Sequence, residues 1–135
     1  MTTAKLLAAL AQARGEAGAP LETYDPTYLE ALIREGIDLP AFLHGWCAAM
    51  HGDLVELQAR QSAPDAPSRG ASLHRLAGGV GLVGARNLAD ALHRASTVEF
   101  EAHLAGYALD TLMTRTRQFM IHLEAVGRAM THLDP

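Results

Sequence analysis

In the last third of the chain, Ala105, Leu109, Leu112, Thr116, Phe119, Leu123, Val126 and Met130 recur at steps of four and three. That spacing keeps them on one narrow face of a helix, the seam along which bundled helices pack. A second stripe, Leu43, Trp46, Met50, Leu54 and Leu57, follows Leu39-Pro40. Proline suits such a start because the first turn does not need its missing amide hydrogen. Residues 3–14 are weakly amphipathic and are followed by the loop-like "GEAGAP". Asp25-Pro26 opens a short helix through "TYLEALIREG", which should stop near Gly36. "QSAPDAPSRG" breaks the pattern, with Asp65 as a candidate cap, and a further short helix carries Leu88, Ala91 and Leu92. Ser96-Thr97-Val98-Glu99 then has capping-box form. No segment alternates with period two for long enough to be a strand, and no repeat has solenoid spacing.

These elements predict an all-α chain: an antiparallel up-down-up-down four-helix bundle with short additional N-terminal helices. Residues 1–20 read as an N-terminal helical extension and linker, and 21–135 as the bundle. The pattern leaves three roles open for the extension: packing on the bundle, pairing two chains, or serving as a linker.

"SLHRLAGGVGLVGA", Ser72 to Ala85, admits two structures. Gly79, Gly81 and Gly84 match G-x-G-x-x-G, which binds dinucleotides when it joins a buried strand to a helix. The preceding "PDAPSRGASLHRLA" has no strand pattern, so a helix is expected. At about 100° per residue, Leu73, Leu76, Val80 and Val83 then face the core. Gly70, Ala71, His74, Ala77, Gly78, Gly81 and Ala85 lie toward the other side, so His74 stands alone on a strip of glycine and alanine. Glycine in a helix costs about 1 kcal/mol relative to alanine. Either close helix packing or access to His74 accounts for so many of them. A packing seam would bury the imidazole, which a polar ring tolerates only with partners. Access is therefore the expectation.

Composition narrows the class. Apolar residues make up 49 % and aromatics 5 %, a balance suited to closely packed helices. The net charge of −4 gives no nucleic-acid surface, and Lys5 is the only lysine. A single cysteine, Cys47, excludes an internal disulfide and fits a reducing compartment. No apolar run approaches the roughly 18 residues of a membrane span, and the first twenty residues lack the form of an export signal. A cytoplasmic domain is expected.

The residues His74-Arg75-Leu76-Ala77-Gly78-Gly79-Val80-Gly81-Leu82-Val83-Gly84 resemble the helix motif of histidine-containing phosphotransfer (HPt) domains, H-x-L-K-G-[SA]-[AS]-x-x-[LIV]-G. The histidine, the leucine two later, the glycine four later and the final apolar-Gly pair match. Gly81 falls where the family often has glycine. A long helix before the motif, a short one after it and a long final helix also agree, so the resemblance spans roughly residues 21–132. One position departs: the family's lysine is Ala77 here.

The resemblance implies that His74 accepts a phosphoryl group from a receiver-domain phosphoaspartate and passes it to another receiver. An imidazole in water titrates near ~6.5, so its neutral, nucleophilic form predominates at cytoplasmic pH. Positioning and charge stabilisation come mostly from the receiver and its Mg²⁺, which makes the chain a carrier rather than an enzyme, with no cofactor of its own. Ala71, Gly78, Gly81 and Ala77 would form the docking strip, and Arg75 would reach the phosphate from its rim. The missing lysine motivates an alternative, a pseudo-HPt module that binds a receiver or kinase without carrying phosphate. A metal site is a third reading, since His44, Cys47 and His51 share a helix face. They also flank the apolar stripe, where such residues are commonplace, and no fourth ligand is evident. His93, His103, His122 and His132 read as solvated or boundary residues, and Arg115 and Arg117 as a solvated face. Tyr24 and Tyr28 should cover one end of the bundle and Trp46 should anchor its core.

Overall fold

A computed structural model describes residues 3–17, 22–60, 66–97 and 102–132, with side chains placed for 4–15, 22–59, 69–97 and 109–132. The expected roles of Asp65, Glu99, His103 and Ala105 fall outside those residues or side chains. The described chain is all-helical: α1 Thr3–Ala17, α2 Thr27–Arg34, α3 Leu39–Arg60, α4 Ala66–Leu82, α5 Arg86–Thr97 and α6 Ala102–His132. Among the described residues there is no strand.

Local chemistry sets the helix ends. Asp25 accepts from the Thr27 amide at 3.0 Å and the Thr27 hydroxyl at 2.8 Å, ahead of α2. Those two donors hold its carboxyl below the usual value. At the other end of α2, Gly36 takes a left-handed φ of +85°. The Ile37 amide reaches back to the Leu32 carbonyl and the Gly36 amide to that of Ile33, each at 3.0 Å. The end of α4 repeats this arrangement. Gly84 has φ +91°, and the amides of Ala85 and Gly84 close on the carbonyls of Val80 and Gly81 at 3.0 and 3.1 Å. Both are C-terminal caps that need a residue free of a Cβ penalty. α3 begins with Asp38 accepting from the Ala41 amide at 3.4 Å.

Two boundaries differ from the sequence reading. α1 continues to Ala17 and takes Gly15 into the helix, since adding a residue to a helix already formed costs little. Ser96 does not open the last helix. It lies near the end of α5, and its hydroxyl donates to the His93 carbonyl at 2.6 Å.

Backbone proximity establishes the neighbours. α3 lies beside α4 and α6, α4 beside α5, and α5 beside α6. Trp46 Nε1 of α3 donates to the Gly79 carbonyl of α4 at 2.9 Å. Gly127 of α6 packs against Leu43 of α3. The stripe from Leu43 to Leu57 is buried throughout, as are Leu109, Leu112, Thr116, Phe119, Leu123, Val126 and Met130. Thr116 is tolerated there because its hydroxyl donates to the Leu112 carbonyl one turn back, at 2.7 Å. Trp46 meets Phe119 edge-on, and Phe119 meets Tyr24 in the same way, with ring centroids 5.9 and 5.4 Å apart. Of the roles open to the N-terminal helix, packing is the one seen. α1 lies along α6, with Leu6, Ala9, Leu10 and Ala13 in the common core.

Candidate functional site

α4 carries the predicted two-sided pattern. Leu73, Leu76 and Val80 are buried, as is Val83 in the turn just past the helix, and His74 is exposed. Ala71, one turn before His74, and Gly78, one turn after it, are also exposed. A Cβ added at Gly78 would touch nothing within 4 Å. The histidine therefore stands on a stretch of helix with no side chain larger than a methyl group directly above or below it.

The rest of the small-residue strip behaves differently. Ala77 and Ala85 are buried, at 6 % and 0 % exposure, so neither belongs to an accessible surface. Ala85 lies past the end of α4, in the turn to α5, and α5 lies against the flank of α4. A Cβ at Gly70 would come 3.0 Å from the Ser96 carbonyl oxygen, and one at Gly81 would come 3.7 Å from the Ala89 methyl. Gly70, Ala77 and Gly81 form a seam that lets α4 and α5 approach closely, and only Ala71 and Gly78 remain open. Gly79 packs on the third side, where its Cβ would meet the Met50 sulfur of α3. Seam and access thus coexist on adjoining stripes of one helix.

The structure also places a second histidine beside the first. His93 of α5 is exposed, and its ring centroid lies 5.3 Å from that of His74, with the planes tilted by 47°. Solvation of His93 was expected, but its proximity to His74 was not. The signal lay in the hairpin register. Positions nearly equidistant from the turn at Gly84 face one another: Gly81 with Ala89, His74 with His93, and Gly70 with Ser96.

Arg75 points elsewhere. Its guanidinium donates to Glu56 at 2.8 Å and to Asp53 at 3.3 Å, both on α3, with a longer contact to the Ser72 hydroxyl at 3.4 Å. The expected cation at the rim of the site is engaged in an α3–α4 ion pair.

A buried polar cluster lies away from His74, where the segment before α2 crosses α6. His122 is 3 % exposed, which corrects its reading as a solvated or boundary residue. Its Nε2 shares a 2.8 Å hydrogen bond with the Tyr24 hydroxyl, while Nδ1 is buried without a partner among the described residues. Burial, followed by the nearby Arg14 charge, lowers the His122 pKa, and burial pushes the Tyr24 phenol up to about 12. Arg115 likewise is not a solvated cation. It pairs with Glu22 through Nε at 2.5 Å and a terminal nitrogen at 3.0 Å, and Glu22 is itself 6 % exposed. His122 and Arg115 both lie on the side of α6 that meets the strap from Glu22 to Pro26. Arg117 is exposed as expected. Tyr28 accepts from Arg86 at 3.0 Å, which ties α2 to the start of α5.

His44, Cys47 and His51 line a cleft of about 480 Å³ between α3 and α6, together with Met120, Glu124 and Gly127. Among the described residues, no group of three or more histidine, cysteine or acidic side chains is placed to hold a metal ion. Burial, followed by the Glu124 charge, pushes the Cys47 thiol up to about 11, so it is protonated near neutral pH. Among the described residues, no helix is long and apolar enough to cross a membrane. No family model, curated protein or solved structure matches the chain.

Proposed function

We propose that the chain is a histidine phosphotransfer module of a two-component phosphorelay, in which His74 accepts a phosphoryl group from a receiver-domain phosphoaspartate and hands it to another receiver. The observation that carries this reading is the setting of His74, an exposed imidazole in mid-helix with open space at Gly78 and only a methyl group at Ala71. In-line attack on a phosphorus held by a second protein needs that clearance on both sides. In this reading α3, α4, α5 and α6 form an antiparallel up-down-up-down four-helix bundle, with α1 and α2 as additions at the N-terminal side. Such a bundle holds the α4 backbone rigid while its outer face meets a partner. The partners are receiver domains, which bring the Mg²⁺ and the acidic cluster, so the chain acts as a cytoplasmic carrier rather than as an enzyme.

A pseudo-HPt module, which binds a receiver or kinase without carrying phosphate, is favoured by one observation. The position of the family's lysine is a buried alanine, and Arg75 is committed to Asp53 and Glu56. Phosphorylated receivers, Mg²⁺ and the chain, with His74→Ala as control, distinguish the two. Acid-labile, base-stable label that requires His74 is expected. Receiver binding without label would establish the pseudo-HPt reading instead.

A further inference from the structure

The phosphoryl group on a histidine carries up to two negative charges and three acceptor oxygens, and neither the family's lysine position nor Arg75 meets them here. Ala77 is buried and has no charge, and Arg75 is held by two carboxylates of α3. One titratable ring does lie against His74, that of His93 at 5.3 Å. It comes from the neighbouring helix, is exposed to solvent, and is anchored on a backbone that the Gly70–Ala77–Gly81 seam draws close. A ring–ring separation of this size leaves room for a phosphoryl group on one imidazole to accept a hydrogen bond from the other.

We infer that His93 is the positioning partner of the phosphoryl group on His74, donating a ring N–H to a phosphoryl oxygen where the family's lysine would otherwise donate. This rests on the phosphotransfer reading of His74. In the transfer, the lone pair of an unprotonated His74 ring nitrogen forms the N–P bond. The P–O bond to the donor breaks, and its electron pair leaves with the donor oxygen. The other His74 ring nitrogen keeps its proton. His93 exchanges no electrons and loses no proton. It holds one oxygen of the group in flight and then of the product. Its contribution needs a hydrogen-bond donor at that position, and a permanent cation would do as well as an imidazole.

Phosphoramidate, a small phosphoryl donor that needs no receiver, tests this in the full chain, with the label followed by phosphate-specific gel shift and by ³¹P NMR. Wild type, His93→Ala, His93→Lys and His74→Ala are compared for rate of labelling and for lifetime of the phosphohistidine. Position 93 is exposed, so unchanged helicity is expected in both variants. His93→Ala should label about tenfold more slowly or lose its label about tenfold faster, the scale of one charge-assisted hydrogen bond. His93→Lys should restore most of the loss, which a packing role for the ring would not allow. Equal behaviour of wild type and His93→Ala overturns the inference and leaves His74 as the carrier. Label that survives in His74→Ala but not in His93→Ala makes His93 the acceptor and overturns both. A wild-type chain that takes no label overturns the phosphotransfer reading together with this one.

Discussion

At the scale of single residues, the glycines of α4 divide by what stands opposite them. Gly78 faces open space, so a side chain there meets no steric resistance and removes the helix cost of glycine, about 0.5–1 kcal/mol. Gly78→Leu should therefore fold with an equal or higher melting temperature. On the proposed phosphotransfer function it should lose receiver-dependent transfer by at least about tenfold, because the leucine stands one turn from His74. A stable Gly78→Leu chain with normal transfer would refute access as the reason for that glycine. His122 makes a second prediction. Its folded pKa lies below its ordinary value, so from near pH 6.5 downward the unfolded chain binds more protons than the folded one. Stability should fall as pH drops through that region, and it should be indifferent to His122 above it. Melting curves at pH 7.5 and 5.5 check this. The difference between them should shrink in Tyr24→Phe/His122→Leu, which removes the hydroxyl and both ring nitrogens together. These residue-level facts were unevenly legible. His74 and its small neighbours could be read from periodicity, whereas His122 looked like any histidine on a helix until the strap covered it.

The elements join at points where one side chain or one dihedral decides. The α4–α5 turn depends on Gly84, which combines a left-handed φ with a Cβ direction blocked by the Asp25 carbonyl oxygen at 2.7 Å. Gly84→Ala should cost about 1–3 kcal/mol in denaturant unfolding, because neither the backbone nor the strap can give way cheaply. Since this turn sets the α4–α5 register, the same variant should also weaken the apposition of His74 and His93. The strap itself is held by Glu22 and Arg115. Removing the arginine leaves a buried carboxylate without its partner, so Arg115→Ala should be destabilising by about 2–4 kcal/mol. Glu22→Gln/Arg115→Met, which removes both charges, should recover much of that loss, as measured by the same unfolding midpoints. Element existence was readable because stripes of apolar residues repeat with helical period. The pairing of Glu22 with Arg115 spans most of the chain, and no local pattern encodes it.

For the molecule as a whole, α1 is part of the core rather than an appendage. Leu6 and Ala9 are fully buried against the rest, so a chain lacking residues 1–17 would expose an apolar face along α6. That truncation should lower the melting temperature and promote self-association in light scattering. Leu6→Ala alone should cost about 2–4 kcal/mol. The expected boundary near residue 20 marks a change in composition, and the hydrophobic core runs across it.

Read alone, the amino-acid sequence determined that the chain is helical, where most helices lie, which stripes are buried and that His74 is set among small residues. Each of these follows from interactions within a few turns of one helix, where the 3.6-residue period links position to face. Tertiary structure decided which glycines are seam and which are open, that Arg75 is held by α3, that His122 and Glu22 are buried, and that His93 stands beside His74. Those outcomes depend on which helix lies against which flank and in what register, a choice made by the packing of all the stripes together rather than by any one of them.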